Sequence, residues 1–187
     1  HLRQFGRPGT EETAAVDLAE VIEGARILVG GGLREAGIAL EVSIPADLPR
    51  VEAQRMPLEQ AVVNLLANAR DALVKLPAGA PRRLRVAARE LGGRVVLEVA
   101  DNGGGIVADV MARIFQPFVT TKGIATQGTA QGTGLGLAQS YGILKSFGGG
   151  IVAANADGGA VFTMTLRCWA EEPAPARGQA RLTGKGT

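Results

Sequence analysis

The sequence predicts an α+β sandwich in which helices and antiparallel strands interleave around one sheet. Three observations carry that expectation. Strand-like segments come in pairs, one across Gly92-Gly93 and one across Asp157-Gly158-Gly159, both hairpin signals. A long helix is read from near Pro57 to before Pro77, with Leu58, Val62, Leu65, Ala69 and Leu73 on one side as a core stripe. A chain of 187 residues can bury one good core with some tail left over.

Each element has its own local warrant. His1 to Arg7 reads as the last turns of a helix, and Pro8 to Ala15 as a breaker-rich linker. The chain opens on His1 and not Met, so it is expected to be a fragment of something longer. Asp17 suits an N-cap for a helix through Leu18, Val21, Ile22, Ala25, Leu28 and Val29, which Gly30-Gly31-Gly32 is expected to interrupt. Ile38 to Ile44 alternates as a strand closed by Pro45 and Pro49. Arg82 to Leu91 and Arg94 to Ala100 form the first hairpin. Met111 to Phe115 reads as one helical turn, and Val119 to Gly134, with little to bury, as a mobile loop. Leu135 to Phe147 is helical with Leu137, Tyr141 and Leu144 on one side. Ile151 to Ala154 and Val161 to Arg167 form the second hairpin, and the composition after Trp169 reads as disordered.

Composition excludes several function classes. Twenty basic and 18 acidic residues leave a charge of +2, so no basic groove for nucleic acid is implied, and scarce aromatics argue against base stacking. No apolar run approaches the ~18–20 residues of a spanning helix, and no signal peptide is visible. The single cysteine, Cys168, rules out an internal disulfide, fits a reducing compartment and reads as a small buried hydrophobe. One histidine cannot build a multi-histidine metal site.

The side of the long helix opposite its core stripe carries Gln60, Asn64, Asn68, Asp71 and Lys75. Two Asn residues lower helix propensity, and an Asn oxygen is a neutral hard ligand that suits Mg²⁺ when phosphates supply the negative charge. A solvated polar face explains this helix equally well. Asp101-Asn102-Gly103-Gly104-Gly105-Ile106 follows a hydrophobic strand, placing a carboxylate acceptor beside a backbone that a flat ligand can approach. Alone, it is an ordinary turn. Gly132-Thr133-Gly134-Leu135-Gly136-Leu137 opens a helix, where free N–H groups and the helix dipole favour a phosphate. It has no Walker A ending and no preceding strand, and singly a glycine hinge explains it better. Between these two stretches, Phe115 and Phe118 are expected to anchor one end of the loop in the core, from which the Lys122 stem reaches a terminal phosphate.

Together, NLLANARDAL, DNGGGI, IFQPFVTTK and GTGLGLAQSYGIL resemble the N, G1, F and G2 boxes of a sensor histidine kinase, in order and at familiar separations. The resemblance covers roughly residues 17–167 and implies the ATP-binding fold shared with gyrase, heat-shock-chaperone and mismatch-repair ATPases, a two-layer sandwich with helices on one face of a mixed sheet. It implies ATP and Mg²⁺ as cofactors. Asn68 is then the Mg²⁺ ligand, with Asn64, Asn68 and Lys122 as the catalytic residues and Asp71 on the nucleotide-facing ridge. Asp101 partners adenine, and Gly103, Gly105 and Ile106 line the base. Gly132, Thr133, Gly134, Leu135 and Gly136 hold the phosphates, and Lys122 belongs to the lid. The opening HLRQFGR resembles the end of the dimerisation helix in the nitrogen-regulation and dicarboxylate-sensing branch. The implied organisation is a dimerisation-helix end and linker over 1–15, the ATP-binding catalytic domain over 16–169 and a tail over 170–187.

The implied activity is transfer of the γ-phosphoryl group to a histidine on a dimerisation domain outside this fragment, for relay to a response-regulator receiver aspartate. The implied parent is a cytoplasmic homodimer whose anchorage in the inner membrane stays open. This fragment would contact neither membrane nor nucleic acid. Hydrolysing relatives place a Glu four residues before the Mg²⁺ Asn, where this chain has Asn64; Glu59 points elsewhere by helical pitch. An ATPase of the same fold, a related kinase with a Ser acceptor, and a non-catalytic nucleotide-binding docking module remain the alternatives. His1, followed by Leu2 and Arg3 and not by an acidic residue, makes a poor phosphoacceptor.

The sequence departs from this pattern at two positions. Gly104 stands where this branch carries Pro, implying a looser adenine loop that Gly104→Pro would stabilise by ~0.4–1 kcal/mol if its φ is compatible. Ala160 stands where many relatives carry Thr or Ser, implying one direct polar contact fewer to the base.

Overall fold

The computed structural model describes residues 13–119 and 134–170. Its main sheet has five strands in the order β2-β4-β5-β7-β6, comprising β2 (Ala39–Ser43), β4 (Arg83–Leu91), β5 (Arg94–Asp101), β6 (Gly150–Ala156) and β7 (Gly159–Arg167). The β2–β4 pair is parallel and the other three pairs are antiparallel, so the sheet is mixed. Both predicted hairpins form. The second turns on Asp157 and Gly158, whose φ values of 51° and 77° are the positive values that a tight two-residue hairpin requires.

Alternation along the strands fixes which face is covered. Leu84, Val86, Val95, Leu97, Val99, Phe162, Met164 and Leu166 point to the helices and are buried, while Arg83, Arg85 and Arg89 stand exposed on the other face. The covering layer is α1 (Leu18–Glu35), α2 (Arg55–Leu73) and α4 (Gly136–Ser146), with a single turn α3 (Ala108–Met111) beyond β5. The predicted core stripe of α2 is entirely buried, together with Ala61 and Leu66. Pro57 lies in the first turn, where a missing N–H costs nothing.

Three sequence expectations are corrected. Helix α1 does not break at Gly30-Gly31-Gly32 but continues to Glu35. A Cβ at Gly32 would lie 3.1 Å from the Arg70 guanidinium, and the Glu59 carboxylate lies over Gly24, so α1 and α2 pack closely through small residues. That packing, with Leu33 and Gly30 buried, outweighs the ~1 kcal/mol that each helical glycine costs. A second, two-stranded sheet pairs β1 (Ala14–Val16) with β3 (Val51–Ala53), taking Ala14 and Ala15 out of the segment read as linker. The short helix runs from Ala108 to Met111, so it ends on the first residue of the stretch expected to form it. Asp17 does cap α1, its carboxylate accepting the Ala19 N–H at 2.8 Å. Cys168 is half-buried and bridged to Val51, with its thiol pKa raised by burial and by the Glu90 carboxylate. Residues 1–12 and 171–187 lie outside the described residues.

Because Leu65 is wholly buried where α2 meets the core, Leu65→Ala is expected to lower unfolding stability by about 2–5 kcal/mol, read from the urea midpoint at unchanged slope.

Candidate functional site

The polar side of α2 is half-buried at Asn64, Asn68 and Asp71, not freely solvated. Asn64 donates from Nδ2 to the Gly136 carbonyl at 3.1 Å and to Ser140 Oγ at 3.3 Å, and accepts from Gln60 at 3.1 Å. It thereby ties α2 to the first turn of α4. Two turns further on, Ala72 meets the glycine loop: a Cβ at Gly103 would stand 2.7 Å from the Ala72 Cβ. Asn68 lies midway, one turn from each, on the same helical face. Its side chain has no hydrogen-bond partner among the described residues. Asp71 accepts from the Arg70 guanidinium at 2.9 Å. Glu59 faces α1, as its helical position predicts.

Asp101 ends β5 and is one of two buried polar residues among those described, the other being Ser140. Its Oδ1 accepts the Gly103 N–H at 2.8 Å and the Ala160 N–H at 3.5 Å, and among the described residues no bond falls on Oδ2. Burial raises its pKa, and the two backbone N–H groups offset part of that rise. The loop after it is pinned from two sides. Asn102 accepts the Arg83 N–H at 2.7 Å and donates to the Pro81 carbonyl at 2.8 Å. Asn155 in β6 accepts the Ile106 N–H and donates to the Ile106 carbonyl, both at 2.8 Å. The Gly104 N–H reaches the Gly158 carbonyl at 3.0 Å.

Phe118, at φ 65°, donates its N–H to the Gly134 carbonyl at 3.0 Å, so the segment 120–133 leaves and returns at one point. A Cβ at Gly134 would stand 2.7 Å from the Phe118 backbone, and its own φ is 67°, so glycine is required there on both counts. Leu135 then precedes α4 and supplies no side-chain cap, so among the described residues no N-cap side chain takes up the first N–H groups of the helix. Phe115 packs on the core and stacks on Tyr141 at 5.7 Å, but Phe118 is 75% exposed and does not anchor in the core as expected. Its left-handed backbone turns the side chain outward while the N–H makes the anchoring contact. Lys122, Gly132 and Thr133 lie outside the described residues.

One helix therefore holds the strand-end carboxylate loop at one end and the uncapped helix at the other. The conserved-domain family described as histidine kinase-, DNA gyrase B- and HSP90-like ATPase matches residues 53–169. The chain belongs to this family. It is 44% identical over 169 residues to the two-component sensor PprA of Pseudomonas aeruginosa, covering 89% of this chain and 18% of that protein. It is 36% identical to the C4-dicarboxylate transport sensor DctB of Rhizobium meliloti, covering 89% and 25% respectively, in keeping with the dicarboxylate-sensing branch expected from the sequence. The chain thus spans a quarter or less of the length of these two relatives. Among solved structures it resembles the nucleotide-free catalytic domain of histidine kinase ThkA, with TM-score 0.71 and 28% identity over 84% of this chain and 97% of that one. It also resembles full-length ShkA solved with AMPPNP, with TM-score 0.70 and 25% identity over 89% and 34%.

Two side chains that hold this histidine-kinase-type ATPase site together escape sequence reasoning. Asn155 sits in a strand whose alternation gives no local signal, and its partner Ile106 is 49 residues away. Ser140 reads as one more polar position in a helix. The Gly104→Pro expectation is overturned. Gly104 has φ 91°, where proline is locked near −65°, and its N–H bonds Gly158. Gly104→Pro is therefore expected to destabilise the fold by about 3 kcal/mol or more, seen as a lower melting temperature.

Proposed function

We propose that this domain is the ATP-binding catalytic part of a sensor histidine kinase, transferring the γ-phosphoryl group to a histidine of its dimerisation domain for relay to a response-regulator aspartate. One observation carries the choice of transfer over hydrolysis. At the position where hydrolysing relatives place a carboxylate, Asn64 has its amide committed to the Gly136 carbonyl and Ser140, so no base stands beside Asn68 from that side.

The residues present suit a magnesium nucleotide. Asp101 Oδ2 is an open acceptor for the adenine amino group, with Gly103, Gly105 and Ile106 against the ring. Asn68 offers a neutral oxygen, and no group of three or more His, Cys, Asp or Glu among the described residues could hold a cation alone, so phosphate oxygens must complete the shell. When bound, Mg²⁺ would neutralise and template the triphosphate. Gly132, Thr133, Gly134, Leu135 and Gly136 would meet the phosphates through backbone N–H groups, and Lys122 would add a positive charge. Asp71, held by Arg70, would face the metal's water shell. These residues chiefly position and neutralise, and the nucleophile and its base belong to the dimerisation helices.

Residues 1–13 would join those helices to a catalytic domain that begins with β1 at Ala14 and runs to 169, and 170–187 would be a tail. The parent would be a homodimer, with its own phosphoacceptor domain and a receiver domain as partners. No helix among the described residues is long and apolar enough to cross a membrane. A cytoplasmic domain of a parent anchored in the inner membrane accords with the proposal.

Supplying a dimerisation domain in trans tests the reading. Phosphoryl transfer without appreciable phosphate release supports it, release alone would favour an ATPase, and binding with neither outcome would leave a nucleotide sensor. Asn68→Ala is expected to abolish the Mg²⁺-dependent part of ATP binding in calorimetric titration.

Asp101→Asn is expected to cut the preference for adenine over guanine nucleotides about ten- to a hundredfold, the worth of a charged hydrogen bond. Its effect on stability runs the other way. Burial raises the folded-state pKa above the ordinary 3.8, so ionisation of Asp101 opposes folding increasingly as pH rises through the interval from 3.8 to the raised value. At neutral pH the nucleotide-free Asn variant should melt no lower than the parent. A lower melting point would show that the carboxylate supports the fold instead.

A further inference from the structure

We propose that Ser140 is a positioning residue for the phosphate half of the site, aiming a backbone N–H that it never touches. The inference rests on the nucleotide placement proposed above. Ser140 is wholly buried in α4, where a hydroxyl must find partners or cost stability. It donates to the Gly136 carbonyl at 2.9 Å and accepts from Asn64 Nδ2 at 3.3 Å, while Asn64 also donates to the same carbonyl at 3.1 Å. A serine bonding back one turn within its own helix ordinarily bends or weakens that helix slightly. Here the bond closes a triangle between two helices.

The consequence follows from the planarity of the peptide bond. The Gly136 carbonyl and the Leu137 N–H belong to one trans peptide unit and point in opposite directions. Two donors gripping the carbonyl therefore fix where the Leu137 N–H points. Leu137 is in the first turn of α4, where N–H groups have no partner inside the helix and where the N-cap residue Leu135 supplies no side-chain cap. Ser140 and Asn64 thus hold this N–H directed out of the helix start, toward the phosphates of a nucleotide whose base lies at Asp101. The hydroxyl preorganises a donor so that the ligand need not order it.

Calorimetric titration of the whole chain with adenosine and with ATP·Mg²⁺ separates the two halves of the site. Ser140→Ala should bind adenosine as the parent does, while the gain in affinity from adenosine to ATP falls about five- to tenfold, and Ser140→Thr, which keeps the hydroxyl, should restore that gain. An undiminished gain in Ser140→Ala would overturn the inference, and so would an equal loss for both ligands, which marks general damage to the fold. A parent chain with no gain from adenosine to ATP would overturn the nucleotide placement itself, and the role of Ser140 with it. A second measurement needs no substitution: the Leu137 amide resonance should move with ADP·Mg²⁺ and stay put with adenosine. A Leu137 amide indifferent to ADP·Mg²⁺ would overturn the proposal.

Discussion

Everything at the site is referred to the seating of α2 on the sheet. Leu58, Val62, Leu65, Ala69 and Leu73 are buried to within a few per cent, and each large side chain gains about 1.5–3 kcal/mol from that burial. The stripe leaves the helix one rotational setting. Since successive residues are about 100° apart, a register change of one residue would swing Asn64, Asn68 and Ala72 away together. The apolar stripe therefore sets the site's geometry without touching a ligand. Asn64, Asn68 and Ala72 lie at intervals of one turn, about 6 Å along the axis, so the distance between the two loops is fixed by the rise of the helix.

The site is also polarised. At the β5 end stands a single buried carboxylate, its pKa raised by burial and only partly lowered by two backbone N–H groups. At the α4 end stand uncapped N–H groups carrying the positive end of the helix dipole. A ligand with hydrogen-bond donors at one end and anionic oxygens at the other fits this arrangement in one orientation only. Reversed, it would set phosphate against Asp101, a repulsion strengthened by the low local dielectric. A chain carrying only +2 overall can thus orient an anionic ligand by the placement of one carboxylate and one helix start.

Much of this was legible in the sequence because it is local. The stripe of α2, the Asp17 cap and both hairpins follow from spacing and turn chemistry within one element. The four boxes name their family because their order records how the chain passes the site. What was not legible is the pairing between elements. The β1–β3 ribbon joins two three-residue strands too short for any alternation to register, and α1 runs through its three glycines where only Gly32 faces α2, at Arg70, a contact that local sequence does not reveal. Phe118 was expected inside on hydrophobicity, but its positive φ belongs to the closure with Gly134, which residue type does not reveal. Gly104 shows the same limit. A proline in relatives invites a proline argument, yet here the loop adopts the hand that proline cannot, because its N–H is taken by the β6–β7 turn.

These cross-element bonds fall into two groups, one at each half of the site. The base half belongs to the sheet: Asn102 ties the loop to the start of β4, Asn155 and Gly158 tie it to β6 and its turn, and Asp101 reaches into β7 at Ala160. The phosphate half belongs to the helices, through Asn64 and Ser140 on Gly136. Both halves nonetheless stand on one scaffold: Leu144 of α4 is buried in the core it shares with the sheet, and the Gly149 N–H bonds the Leu144 carbonyl at 2.9 Å where the chain enters β6. A nucleotide spanning both would therefore meet a carboxylate and loop held by strands at its base and backbone N–H groups held by two helices at its phosphates.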